Sequence, residues 1–299
     1  MPYPNFLIIG AQKAGTTWLW ANLRRHPQIW MPFSKELHYF DEMMHGIPVD
    51  IYSRLFDKRN NRWRIFAKLA LKRSIRRRKE VFGKLRQELK FLFGRPCDAW
   101  YESCFSPRAG QIAGECTPDY AYLDEQSLIH IKELVPSAKV IYVLRNPIVR
   151  SWSSAMMWFR NNGKLPEVLD KADFINFFKS DMHLLHGDYM ANIERWRKFY
   201  PWLNICFFDD IKLNHELFLV RVFKFLGVDD STKHITPLAG KVIHAGRTSV
   251  IPTFFRRYLA EMHMEQLISL NKIFGGHVLE WLSETQEILR QPSSLRLEK

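Results

Sequence analysis

Three groups of residues have the types and spacing to do chemistry. Gly10-Ala11-Gln12-Lys13-Ala14-Gly15-Thr16-Thr17 is a glycine-bracketed loop with one lysine, and such a loop can turn backbone N–H groups toward a phosphate-sized anion. Glu36 and His38 are two residues apart, so in an extended segment they point the same way, with Lys35 and Leu37 on the other face. A carboxylate and an imidazole aimed together are a candidate general base and its partner, or a solvated Glu beside a structural His. Arg145 and Ser153 place a cation and a hydroxyl where an apolar run gives way to a polar one. No metal is expected: Cys97, Cys104, Cys116 and Cys206 lack metal-ligand spacing, and Asp209-Asp210 reads as a helix-capping turn.

The flanking residues say what must hold these groups. Phe6–Ile9 is a short branched apolar run closed by Gly10, hence a buried strand, and Thr16–Arg25 has helical spacing behind hydroxyls that can cap it. Lys139–Leu144 is apolar on both faces, as a central parallel strand should be. Arg145 then sits at the carboxyl edge of that strand, facing the crevice where open α/β sheets bind ligands, with Ser153 one or two turns into the next helix. The first loop resembles a P-loop with one departure. The ATP/GTP pattern puts lysine directly after the second glycine, followed by Ser/Thr for magnesium; here Lys13 lies inside the loop and nothing marks a magnesium site.

At 299 residues, 46% hydrophobic and 14% aromatic, the chain reads as one globular α/β domain able to bury an ample core. Its charge is uneven. Between Lys58 and Pro96 fifteen Lys or Arg face only Glu80 and Glu88, so this stretch holds all of the net +13. It reads as a basic helical insertion, which can lie on an anionic membrane surface, grip a polyanion, or be a solvated face. Nucleic acid is not expected, since no base-reading motif accompanies the charge. No window approaches 18 uninterrupted apolar residues, and a first strand near Asn5 leaves no room for a signal peptide before it. With cysteines read as buried thiols, the expectation is a cytoplasmic protein, peripheral to a membrane if the insertion docks there.

The loop around Lys13, followed by Lys35-Glu-Leu-His-Tyr-Phe-Asp41, resembles the sulfotransferases that use 3′-phosphoadenosine 5′-phosphosulfate, in the branch that contains the heparan sulfate sulfotransferases and their bacterial relatives. The resemblance implies a P-loop-like central parallel sheet flanked by helices, a sulfotransferase domain over 1–285 with 58–96 as insertion, and a loose tail at 286–299. It implies that Gln12, Lys13, Ala14, Gly15, Thr16 and Thr17 hold the 5′-phosphosulfate and that Lys13 meets the leaving phosphate. Glu36 would be the base, supported by His38 and Asp41; small-molecule sulfotransferases use a histidine, so His38 stays the other candidate.

The same resemblance gives Arg145 and Ser153 the 3′-phosphate. It gives Gly246 and Arg247 a closing loop, in which Ala245 stands where the family has lysine. Gly114-Glu115-Cys116-Thr117-Pro118-Asp119-Tyr120 is similar to a segment lining the acceptor cleft, so Glu115, Thr117 and Tyr120 are acceptor-side candidates, a strand end with a proline turn being the other reading. The implied reaction moves a sulfuryl group, without metal, to a hydroxyl or amine of a carbohydrate, glycolipid or small-molecule alcohol, anionic acceptors included. Two other classes stay open at this stage. One is a magnesium-dependent P-loop kinase or NTPase; the other is a non-catalytic polyanion or membrane-surface binder built on 58–96.

Overall fold

Five short strands carry the fold of the computed structural model, which describes residues 3–32, 34–46, 91, 94–164, 169–241 and 250–291. They are β1 (Phe6–Gly10), β2 (Ile29–Trp30), β3 (Ile112–Cys116), β4 (Lys139–Leu144) and β5 (Asn204–Phe207), in the order β2-β3-β1-β4-β5 and all parallel. All five residues of β1 are buried, as are the last five of β4, because helices cover both faces of the sheet. Phe6 lies opposite Gly114 on one side and Lys139 on the other. The chain leaves β1 toward β3 and later returns on its other side as β4. The carboxyl ends of β1 and β4 therefore form the point where the winding reverses, which is where such sheets bind ligands.

The helices follow from the pattern of the segments between strands. α1 (Thr16–Leu23) and α2 (Tyr39–Met44) precede α3 (Asp98–Ser103), α4 (Glu125–Leu134) and α5 (Pro147–Asn161). Then come α6 (Lys171–Phe178), α7 (Asp181–Gly187), α8 (Tyr189–Phe199), α9 (Phe208–Leu213), α10 (His215–Leu226), α11 (Thr253–Phe274) and α12 (His277–Arg290). A second hydrophobic cluster, including Trp152, Phe159, Phe174, Phe178 and Phe255, pins α5 against α6 and α11. The rings of Trp152 and Phe174 stack with centroids 5.0 Å apart. This packing fixes the rotation of α5, and with it the face that carries Ser153.

The expected α/β sheet is thus present. Asp209 and Asp210 open α9, and Asp210 faces His277 at 3.0 Å. The basic insertion lies outside the described residues except for Phe91 and 94–96, as do Gly246, Arg247 and the tail from 292. Among the described residues no helix is long and apolar enough to cross a membrane.

One contact in the sheet tests the register. The Phe6 ring lies across Gly114, where an added Cβ would meet its Cζ at 2.0 Å. Gly114→Ala must push that ring aside in a packed core, and it is expected to lower unfolding stability by about 3 kcal/mol, the upper end for overpacking. Denaturant unfolding measures this; a midpoint equal to wild type would contradict the β1–β3 register.

Candidate active site

The first limb of the site is the turn between β1 and α1. Ala11 N–H donates to the Val143 carbonyl at 2.8 Å, which ties the start of the loop to β4. Gly15 caps α1 at φ 84, and a Cβ there would meet the Phe208 ring at 2.9 Å, so both backbone and space require glycine. Lys13 also takes a left-handed φ of 70, a conformation that persists only where surroundings enforce it. Arg145 Nη1 supplies that enforcement by donating to the Lys13 carbonyl at 2.7 Å.

This bond joins the loop after β1 to the residue after β4. The Arg145 guanidinium also lies 4.6 Å from the Phe208 ring centroid, and its Nε is buried without a hydrogen-bond partner among the described residues. Among the described residues, the hydrogen-bond partner of Lys13 Nζ is the Met157 sulfur, at 3.6 Å. Burial pushes the Lys13 ammonium below its usual value, and the charges of Arg145, Arg160 and Lys35 push it further. Burial lowers the Arg145 guanidinium as well. The pair is a half-buried cationic crevice whose members repel one another, and an anion between them would relieve that repulsion.

On α5, Ser153, Met157 and Arg160 fall on one stripe at i, i+4 and i+7. Ser153 is half-buried, while its neighbour Ser154 donates to Gln12 Oε1 at 2.9 Å and so touches the loop directly.

The second limb is Lys35–Asp41. Glu36 Oε1 is 2.5 Å from Lys35 Nζ, and Glu36 Oε2 is 3.2 Å from His38 Nε2. His38 Nδ1 is 2.8 Å from Asp41 Oδ2 and 3.6 Å from Asp119 Oδ2, and Asp119 Oδ1 is 3.5 Å from His186 Nε2. A proton reaching Glu36 therefore has a relay inward through an imidazole with a carboxylate on each side. The expectation that Lys35 faces away from Glu36 is corrected: the chain bends at Ser34 and Lys35, which breaks the strand alternation and lets the two side chains pair. His38 and Asp41 are buried, whereas the Glu36 side chain is 37% exposed.

His38, Asp41 and Asp119 bring three ligand atoms within 4.8 Å of one another, close enough to hold a metal ion, although the His38 nitrogen concerned already serves Asp41.

Glu115, Thr117 and Tyr120 do not line an open cleft; all three are 0% exposed beneath the second limb. Glu115 Oε1 accepts from Thr117 Oγ1 at 2.9 Å and from Tyr120 Oη at 2.7 Å, and Oε2 accepts from the Tyr101 hydroxyl. Burial pushes the Glu115 carboxyl up to about 7 against the opposing pull of these donors. Cys116 lies between the limbs: it donates weakly to the Thr16 carbonyl at 3.6 Å, and burial pushes its thiol up to about 12 despite Lys35 nearby.

Lys35, Ser154, Met157, Arg160, Asp119 and Phe208 belong to this site without having been expected in it. Helical spacing from Ser153 could have pointed to Met157 and Arg160. Nothing local marks Phe208, which arrives from β5.

A family model described as the sulfotransferase family matches residues 4–232. The chain is similar to the bifunctional heparan sulfate N-deacetylase/N-sulfotransferase 2 of Mus musculus, 23% identical over 322 aligned residues, which cover 98% of this chain and 31% of that protein. It is likewise similar to N-deacetylase/N-sulfotransferase 3 of Homo sapiens, 25% identical over 320 aligned residues, covering 97% and 30%. The chain thus spans just under a third of the length of these curated relatives. Among solved structures it is similar to a sulfotransferase from Alicyclobacillus acidocaldarius, with TM-score 0.63, 20% identity and coverage of 94% and 99% of the two chains. It is also similar to the sulfotransferase domain of the Synechococcus PCC 7002 olefin synthase, with TM-score 0.50, 15% identity and coverage of 87% and 94%.

Glu36 supplies a signature that needs no substrate. Burial disfavours its charge, but Lys35 and the His38 hydrogen bond outweigh burial and hold the carboxyl far below the ordinary 4.5. A carboxyl lowered in the fold adds stability above its unfolded value and loses it as pH falls. Glu36→Gln should therefore lower the Tm at neutral pH, with a gap to wild type that narrows below pH 4.5. Thermal unfolding across this range checks it, and a gap independent of pH would contradict the Lys35–Glu36–His38 pairing.

Proposed function

The chain belongs to the sulfotransferase family, and from that premise we propose that it moves the sulfuryl group of 3′-phosphoadenosine 5′-phosphosulfate to an acceptor hydroxyl or amine, with Glu36 as base. The observation that carries this reading is the Arg145–Lys13 bond, which sets two cations at the carboxyl ends of the two central strands. A donor with phosphates at both ends of a ribose asks for two such cations. Buried Arg145 Nε and the depressed Lys13 ammonium fit that demand, since each gains a partner when an anion enters.

The donor supplies an electrophilic sulfur and a phosphate leaving group. Lys13 and the N–H groups of Gly15, Thr16 and Thr17 face the charge that grows on that phosphate, held in place before reaction by the fold, while the Ala14 N–H donates to the Ala11 carbonyl at 3.1 Å and closes the loop. Gln12 is steadied by Ser154. Arg145 and Ser153 take the 3′-phosphate through charge-assisted hydrogen bonds, with Gly246 and Arg247 as further contacts. Glu36 accepts the acceptor's proton as attack proceeds in line, and His38 and Asp41 support it from behind.

A carboxylate held this low is a weak base, and Lys35 is the reason. An anion arriving at Lys13 also draws on the Lys35 ammonium, so donor binding loosens the Lys35–Glu36 pair and raises the basicity of Glu36. No step in this scheme calls for a metal.

Curated relatives are named for heparan sulfate N-sulfation, so a sugar amine or hydroxyl is the first acceptor to try, ahead of glycolipids and small alcohols. The basic stretch 58–96 suits an anionic acceptor, a polyanion or a peripheral anionic membrane surface in the cytoplasm. The test is transfer from labelled donor together with binding of adenosine 3′,5′-bisphosphate. Glu36→Gln should bind the bisphosphate no more weakly than wild type, since it releases Lys35, and lose turnover by about 100-fold or more. Lys13→Ala should lose about 100-fold as well. Unchanged turnover in Glu36→Gln would pass the role of base to His38.

A further inference from the structure

His38 is the strained point of the second limb. It has a left-handed φ of 55 although it carries a side chain, and it is the residue at which the extended segment turns into α2. Such a conformation persists only where the surroundings fix it. The backbone groups on either side of it are fixed: Leu37 N–H donates to Thr117 Oγ1 at 3.2 Å, and Tyr39 N–H donates to Tyr120 Oη at 3.0 Å.

Each of those hydroxyls has one proton, and each gives it to the same atom, Glu115 Oε1. The lone pairs of Thr117 and Tyr120 are thereby left for the two amides. Without an acceptor at Glu115, either hydroxyl could rotate its proton toward the loop and oppose the amide it now holds. Glu115 lies on β3 in register with Leu7 of β1, and both are fully buried in the sheet. Its other neighbours are Tyr101 from α3, whose hydroxyl meets Oε2, and Asp41 from α2.

We propose that Thr117 and Tyr120 are positioning residues: with their protons held by Glu115, they fix the backbone on both sides of His38 and so aim Glu36 at the acceptor. The effect on rate rests on Glu36 being the base, whereas the tether itself does not. Sheet, hydroxyl pair and loop form one hydrogen-bonded unit that couples the strand beside β1 to the catalytic carboxylate.

The variants are Thr117→Val and Tyr120→Phe, which remove one hydroxyl each, and Thr117→Ser, which keeps it. Turnover, bisphosphate affinity and the His38 ring signals in imidazole NMR are measured on each, and bisphosphate binding doubles as the check that the variant folds. Thr117→Val and Tyr120→Phe are expected to displace the His38 signals and lower kcat by about 10- to 100-fold, the cost of a small misplacement. The bisphosphate Kd is expected to stay within about twofold, because Lys13 and Arg145 are untouched. Thr117→Ser is expected to restore both kcat and the signals. Displaced His38 signals with wild-type turnover would uphold the tether and count against Glu36 as base. Undisplaced signals in both hydroxyl-deleting variants would overturn the proposal, whatever the rates.

Discussion

The hydrogen bond from Arg145 to the Lys13 carbonyl is the constraint on which the site depends. It spans the carboxyl ends of β1 and β4, and so converts the topology of the sheet into the geometry of a binding crevice. A parallel sheet that reverses its winding leaves a gap at that point, and here the gap is bounded by a lysine and an arginine. Both are partly withdrawn from water, which lowers the proton affinity of each, and the Arg145 charge lowers that of Lys13 further. In the free protein this is unfavourable electrostatics, sustained by the burial of the surrounding core. On the proposed function, the same repulsion becomes binding energy when an anion enters.

The second limb has the opposite character. Glu36 is over-satisfied, with Lys35 on one oxygen and His38 on the other, while Asp41 and Asp119 draw the imidazole inward. One limb lacks negative charge and the other holds it in reserve behind a lysine. Lys35 belongs electrostatically to both, since it pairs with Glu36 and weighs on Lys13. In the proposed function, an anion at the first limb and a free carboxylate at the second are therefore coupled through one side chain.

Much of this arrangement was legible in the sequence. Phe6–Ile9 and Lys139–Leu144 announce themselves as central strands because burial on both faces leaves continuous apolar runs, and the residues after such strands line the crevice. The pairing of Glu36 with His38 also follows from a two-residue period. That logic fails one residue earlier, at Lys35, because the bend at Ser34 and Lys35 ends the alternation, a tertiary effect with no local signature. Glu115, Thr117 and Tyr120 show the opposite difficulty. Polar residues at a strand end look alike whether they line a cleft or satisfy one another in the core, and only the complete burial of Glu115 separates the two. Phe208 could not be found at all, since it reaches Gly15 and Arg145 through chain nearly two hundred residues from the loop it supports.

The central claim is that the crevice joined by Arg145 and Lys13 holds a nucleotide with phosphates on both the 3′ and 5′ sides of its ribose. The direct measurement is thermal unfolding with adenosine 3′,5′-bisphosphate, with adenosine 5′-monophosphate and with magnesium-ATP, each at high excess. A ligand of the native state adds about 2.7 kcal/mol at a hundredfold excess over its Kd. A clear upward shift is expected with the bisphosphate, a smaller one with the monophosphate, and none specific to magnesium-ATP. Stabilisation by magnesium-ATP with none from the bisphosphate would contradict it.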